Sequence, residues 1–130
     1  MEQFSEHIEK LLAYHDYVVV PQLGGFVTQK QTAIITADKI LAPQLSIAFN
    51  PLMKHADGLL AIEIARSRGI TFRRANEIIH EEVEKVQKQL NIGKDFLLGN
   101  IGTLSKDKSG NIQFEPATKL SFLPGNFAFN

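Results

Sequence analysis
Two ten-residue stretches constrain this chain more than anything else in it. "FLLGNIGTLS" (Phe96 to Ser105) runs three large apolar residues into a Gly-Asn-Ile-Gly-Thr-Leu sequence, and "VVVPQLGGFV" (Val18 to Val27) does nearly the same. At an offset of 78 residues, Val18 aligns with Phe96, Val20 with Leu98, Pro21 with Gly99, Leu23 with Ile101, Gly24 with Gly102 and Phe26 with Leu104. A later strand repeats at an offset of 65, Ile47-Ala48-Phe49-Asn50-Pro51 against Ile112-Gln113-Phe114-Glu115-Pro116, so the first copy carries a connection 13 residues longer. A buried strand explains the apolar run. The glycines predict a sharp backbone turn between paired strands at positive φ, with the apolar residue before each turn plugging a helix-sheet core. Gly24, Gly25 and Gly102 are the expected structural turn positions. The same device used twice predicts two halves of one small architecture.

The segments around the repeat fill in the elements. Phe4, Ile8, Leu11 and Leu12 fall on one face of an expected helix over residues 4–14. Tyr17 to Val20 is β-branched and reads as a strand, and Phe26-Val27-Thr28 resumes extended structure after a turn over Pro21 to Gly25. The long, mostly uncharged segment from Gln29 to Leu45 precedes a strand over Ser46 to Pro51. A short helix is expected from Leu59 to Ser67, stopped by Gly69, and Thr71 is placed to cap the next. That next helix is the clearest element, with Ala75, Ile78, Ile79, Val83, Val86 and Leu90 in one stripe. Glu81/Lys85 and Glu84/Lys88 are the expected i,i+4 pairs on its wet side, and Gly93 closes it. Strands over Asp95–Leu98, Thr103–Lys106 and Ile112–Pro116 follow, the last two joined through Lys108-Ser109-Gly110-Asn111. The tail, with aromatic residues, Pro and Gly, reads as more extended than helical.

Helix, glycine break, capped helix, strand, "IGTL", strand, strand and "F-x-P" resemble the HU/IHF fold, most fully over Gly58 to Pro116. Asn100-Ile101-Gly102-Thr103-Leu104 corresponds to that family's glycine turn with its first glycine replaced. The first copy resembles it less completely, keeping the second helix, the Leu23-Gly24-Gly25-Phe26 turn and Phe49-x-Pro51 but no clear first helix. The whole chain resembles the tandem HU-like N-terminal domains of bacterial envelope proteins that carry a membrane helix and a SPOR domain further along. The resemblance implies an α+β fold: two HU-like units, 1–57 and 58–130, each with helices packed on a short three-stranded antiparallel sheet, joined as an intramolecular pseudo-dimer. HU itself assembles from two subunits, and fusing two copies removes the need for a partner chain.

Composition then narrows function. Of 130 residues, 14 are Lys or Arg and 14 are Asp or Glu, so the formal charge is zero, which argues against a chain built around phosphate neutralisation. There are no cysteines, which excludes disulfides and thiolate zinc sites. No apolar run reaches the length of a membrane span and no signal-peptide pattern opens the chain, so a cytoplasmic region without direct membrane contact is expected. The apolar ending "FAFN" suggests that more protein follows. His7, His15, His55 and His80 lack metal-ligand spacing and read as surface or half-buried residues. No P-loop, G-x-S-x-G or G-x-G-x-x-G occurs, so neither catalysis, cofactor nor small-molecule substrate is expected.

HU-like proteins grip DNA with a long basic β-arm, and here the sequence departs from its relatives. The first copy's arm, Gln29 to Leu45, holds only Lys30 and Lys39 against Asp38, and the second is reduced to "KDKSGN". Residues 58–130 hold ten Lys and Arg against eight Asp and Glu, a net +2, while residues 1–57 hold four against six, a net −2. Arg66, Arg68, Arg73, Arg74, Lys106 and Lys108 are the candidate DNA- or partner-binding cations. Arg73 and Arg74 fall in the first turn of a helix, where the dipole disfavours them by roughly 0.3–1 kcal/mol each. The leading expectation is a non-enzymatic protein-protein adaptor region of an envelope or division-associated protein, acting as a monomer or weak oligomer. The alternative is weak, sequence-independent contact with chromosomal DNA.

Overall fold
A computed structural model describes residues 3–31 and 44–117 of the chain. The order is α1 (Phe4–Leu12), β1 (Tyr17–Val20), β2 (Gly24–Gln31), β3 (Gln44–Asn50), α2 (Leu59–Arg68), α3 (Phe72–Asn91), β4 (Phe96–Leu98), β5 (Gly102–Lys106) and β6 (Ile112–Pro116). The strands form two antiparallel sheets, β1-β2-β3 and β4-β5-β6. This is the expected α+β architecture of two HU-like halves. Most of the expected arm and the whole of the tail from 118 onward lie outside the described residues.

The strand register reproduces the sequence repeat residue for residue. Val18 pairs with Phe26 and Val20 with Gly24 in the first sheet; Phe96 pairs with Leu104 and Leu98 with Gly102 in the second. Phe26 faces Phe49 as Leu104 faces Phe114. Gly24 and Gly102 share a φ of 155°. Both have a reason to be glycine. A Cβ at Gly102 would overlap the Glu115 carbonyl and come within 2.7 Å of the Phe114 ring, and one at Gly24 would lie 2.5 Å from the Phe49 ring.

The three glycines expected at the turns do not themselves make them, however. Gly24, Gly25 and Gly102 are strand residues, so β2 starts two residues before the expected Phe26. The positive-φ turn residues are Gln22 (67°) in the first unit and Gly99 (50°) in the second, closed by Leu23 N to Val20 O and Ile101 N to Leu98 O. In one turn the left-handed residue is third and in the other second, because Pro21 fixes a negative φ where Gly99 is free of that constraint. Leu23 and Ile101 then plug the core, 2 % and 0 % exposed.

All three helices and both sheets share that core. The expected stripe of α3 is buried at Ala75, Ile79, Val83, Val86 and Leu90, with Ile78 packed at its edge. Phe4, Ile8, Leu11 and Leu12 of α1 join it, as do Leu60, Ala61 and Ile64 of α2. At the seam, Phe26 contacts both Phe49 and Phe114, with ring centroids 5.0 and 5.5 Å away, so the sheets of the two units meet through aromatic packing.

The helix ends follow local chemistry. Thr71 Oγ1 accepts from Arg74 N at 3.0 Å, the expected cap. Gly69 closes α2 in a left-handed conformation. At the 78-residue offset α1 matches the C-terminal half of α3, and among the described residues no helix precedes α1. The expected pairs Glu81/Lys85 and Glu84/Lys88 do not form. Arg74 draws Glu81, Lys85 bonds Glu82 at 3.3 Å, and Glu84 lies 3.8 Å from His80.

Candidate functional site
The six candidate cations do not converge. Arg66 and Arg68 close α2, while Arg73 and Arg74 open α3. Lys106 and Lys108 lie at the other end of α3, where Lys106 Nζ donates to Asn91 Oδ1 at 2.6 Å. With a rise of 1.5 Å per residue, α3 separates the two groups by about 27 Å.

Several candidates are also engaged within the fold. Arg74 donates to Glu77 at 3.1 Å and Glu81 at 3.4 Å, and these carboxylates raise its pKa above the ordinary guanidinium range. The cost of an arginine in the first helical turn is thereby offset by acids one and two turns along. Arg68 is half-buried, and its Nε donates to His7 Nε2 at 3.1 Å. Arg66, Arg73 and Lys108 are exposed.

His7 corrects an expectation. It is wholly buried rather than superficial, between α1 and α2. Arg68 can only donate, so His7 Nε2 accepts; the proton is on Nδ1 and is donated to Glu63 Oε2 at 2.9 Å. Lys10 Nζ lies 3.9 Å from the same carboxylate oxygen. This network ties the first unit's helix to the second unit's first helix. Its signal was in the sequence, since position 7 falls on the apolar stripe of Phe4, Ile8 and Leu11.

The units also clasp each other at related positions. Gln87 of α3 donates to Gln22 O in the first unit's turn at 3.0 Å. Glu9 of α1 bonds the Asn100 side chain in the second unit's turn. Glu9 and Gln87, like Gln22 and Asn100, are 78 residues apart. Burial raises the Glu9 pKa above the usual carboxylate value, with Glu6 adding to the shift and the Asn100 bond opposing it.

The face of the sheets turned away from the helices presents Val27, Gln29, Ser46, Ala48 and Asn50 from the first unit. The second adds Leu97, Thr103, Ser105, Gln113 and Glu115. Glu115 is the only charge in this set. The short β5–β6 connection is a rigid turn, not an arm: Asp107 Oδ1 accepts from Ser109 N and Asn111 N, each at 2.9 Å, and Oδ2 accepts from Gln113 at 3.0 Å. These bonds, led by the one from Asn111, lower the Asp107 pKa.

One further concavity carries functional groups that the sequence reading passed over. Tyr14, His15, Asp16, Tyr17, Asp57 and Leu59 line a cleft of about 390 Å³ where α1 runs into β1 beside the start of α2. Among the described residues no group of histidines and carboxylates has the arrangement to hold a metal ion, and no helix is long and apolar enough to cross a membrane.

Comparison with protein-family models matches residues 58–127 to the CCDC81-like prokaryotic HU domain 2 and residues 1–57 to the CCDC81-like prokaryotic HU domain 1. No curated protein and no solved structure matches the chain.

Proposed function
Because the chain belongs to the CCDC81-like prokaryotic HU domain family, with a first and a second domain in tandem, we propose that it is a non-enzymatic binding module whose partner is a protein. The observation that carries this reading is the dispersal of positive charge. Architectural HU-type binding wraps a duplex through many phosphate contacts and apolar wedges. Here the candidate cations stand at opposite ends of α3, Arg74 is neutralised by its own helix, and Arg68 is held by His7. The outer sheet face offers a duplex amides, hydroxyls and one carboxylate. Neutral polar and apolar surface of this kind suits contact with a protein.

The setting we favour is the cytoplasmic part of an envelope or division-associated protein, and the sequence resemblance to SPOR-domain proteins supports it. The domain boundary we favour is at residue 57/58. DNA is the competing partner, favoured by the exposed Arg66 and Arg73. A fluorescence-anisotropy titration of the chain with a labelled duplex at several salt concentrations separates the two. We expect dissociation constants at or beyond about 10⁻⁴–10⁻⁶ M, the range of non-specific binders, fading by physiological salt. A pull-down with the chain as bait should retain its protein partners after nuclease treatment. Nanomolar duplex affinity surviving 150 mM salt, or a pull-down emptied by nuclease, overturns the reading.

A further inference from the structure
The cleft between the end of α1 and the start of α2 combines two features seldom left exposed together. Tyr14 is 80 % exposed and Tyr17 42 % exposed, so aromatic surface faces solvent. Asp16 sits between them in sequence, and Asp57, just before the start of α2, lines the same cleft. The scaffold beneath is fixed. The Asp16 carbonyl accepts from Thr28 N at 2.9 Å and from Thr28 Oγ1 at 3.1 Å, and His15 N donates to Leu11 O at 2.8 Å. Asp57 Oδ1 accepts from Leu59 N at 3.0 Å, which holds its carboxylate at the rim. Among the described residues, the Asp16 carboxylate and the second oxygen of Asp57 have no cationic partner. Leu59, half-buried, forms an apolar floor.

Two carboxylates, two tyrosine side chains and the His15 imidazole around an apolar floor are complementary to a planar cation. A guanidinium stacks on tyrosine rings, donates to carboxylates in a fork and carries an apolar stem for the floor. The net −2 of residues 1–57 adds a field of the same sense. We propose that this cleft is a docking site for an arginine side chain of a partner polypeptide. The proposal rests on the protein-binding reading above and names the chemistry that the partner presents there. It also assigns the contact to the first unit, away from the arginines of the second.

The chain supplies its own probe. Tyr14 and Tyr17 are its only tyrosines and it has no tryptophan, so its intrinsic fluorescence reports on this cleft. The intact chain is titrated with acetyl-Gly-Arg-Gly-amide, and in parallel with the citrulline peptide, which keeps the shape and removes the charge. We expect the arginine peptide to change tyrosine emission saturably and the citrulline peptide to bind on the order of tenfold more weakly. Added salt should weaken the response. Asp57→Asn keeps a helix-capping side chain while removing charge, and Asp16→Asn changes an exposed group; each should weaken binding severalfold with an unchanged circular dichroism spectrum. Equal responses to the two peptides, no saturable response, or full binding by the doubly substituted chain overturns the proposal. Such a result leaves the protein-binding reading to the duplex titration and pull-down, which do not depend on this cleft.

Discussion

Gly102→Ala is the most demanding test of how the repeat works. The new Cβ would overlap the Glu115 carbonyl and sit 2.7 Å from the Phe114 ring. Neither can yield cheaply. Glu115 is paired backbone in β6, next to the Pro116 that faces Gly102, and Phe114 is locked against Phe26 in the aromatic seam. Overpacking of this kind costs about 1–3 kcal/mol, and φ at 155° adds backbone strain of about 1–3 kcal/mol. The sum, about 2–6 kcal/mol, is a large share of the 5–15 kcal/mol typical of a folded domain. Urea unfolding followed by circular dichroism, with a slope of about 2 kcal/mol per molar, should therefore show the midpoint falling by roughly 1–3 M. Gly110→Ala is the control. Its φ is 86° but nothing lies within 4 Å of the added carbon, so only the backbone cost of about 1 kcal/mol remains. Gly24→Ala should behave like Gly102→Ala, since the Phe49 ring and Asn50 carbonyl crowd it equivalently. If Gly102→Ala costs no more than Gly110→Ala, the close approach of strand and ring is not what demands glycine, and the reasoning fails.

Other expectations follow from the contacts between the units. His7→Ala should destabilise by about 2–4 kcal/mol in the same unfolding assay, because it leaves Glu63 and Arg68 without their buried partner. Glu9→Gln should stabilise at neutral pH by about 0.5 kcal/mol, discounted for solvent screening of a partly exposed group. The sign follows from its raised pKa: the native state holds the Glu9 proton more tightly, so stability from this group is present below the ordinary carboxyl value of 4.5 and lost as pH rises through the higher native value. Urea midpoints for wild type and E9Q should converge below pH 4.5 and separate above it. Asp107→Ala should lose the turn bonds to Ser109 and Asn111 and lower the urea midpoint measurably. Its lowered pKa means that this contribution is present above 3.8 and disappears on further acidification.

The fold was largely legible because the signals that specify it are local and repeated. Offsets of 78 and 65 predicted that the two copies share one strand arrangement, and the α3 stripe predicted its buried face, since strand pairing and helix packing both follow sequence periodicity. What escaped were details decided by three-dimensional neighbours. Gly24 and Gly102 proved to be strand residues whose need for glycine comes from a paired strand's ring and carbonyl, invisible in sequence, which occupy the space a Cβ would need. The ion pairs on α3 shifted because Arg74, at the helix start, reaches Glu81 two turns away and competes with Lys85. His7 was misplaced because its partners Glu63 and Arg68 lie more than fifty residues away in sequence. The candidate cations fall on a helix end, a helix start and a short hairpin in sequence, and the distance between them along α3 emerges only once α2, α3 and β5 are placed together.

Interior and exterior of the pseudo-dimer obey different rules, and the difference bears on where function resides. Inside, the halves are matched: Gly24 and Gly102 share one φ, Phe26 and Leu104 share one register, and the second helix of each unit bonds the other unit's turn, through Gln87 to Gln22 and through Glu9 to Asn100. Each half needs the other's surface to complete one core, so substitutions there must keep both faces compatible. A dimer of identical subunits carries the same constraint outside, because every surface change appears twice. A fused pair does not. Its first unit carries the tyrosine-aspartate cleft and a net −2, and its second carries the arginine-bearing helix ends and a net +2. The second unit's counterparts of Tyr14, Asp16 and Tyr17, at the 78-residue offset, are Ile92, Lys94 and Asp95. At the middle position the carboxylate of one unit is replaced by an ammonium in the other. A ligand cation that fits the first unit is therefore disfavoured at the equivalent place in the second. Asp16→Lys, which makes the first unit resemble the second at this position, should abolish the tyrosine fluorescence response to the arginine peptide while leaving the unfolding free energy within about 0.5 kcal/mol of wild type, as expected of an exposed site. Retention of the response would show that the carboxylate between the two tyrosines does not select the ligand's charge.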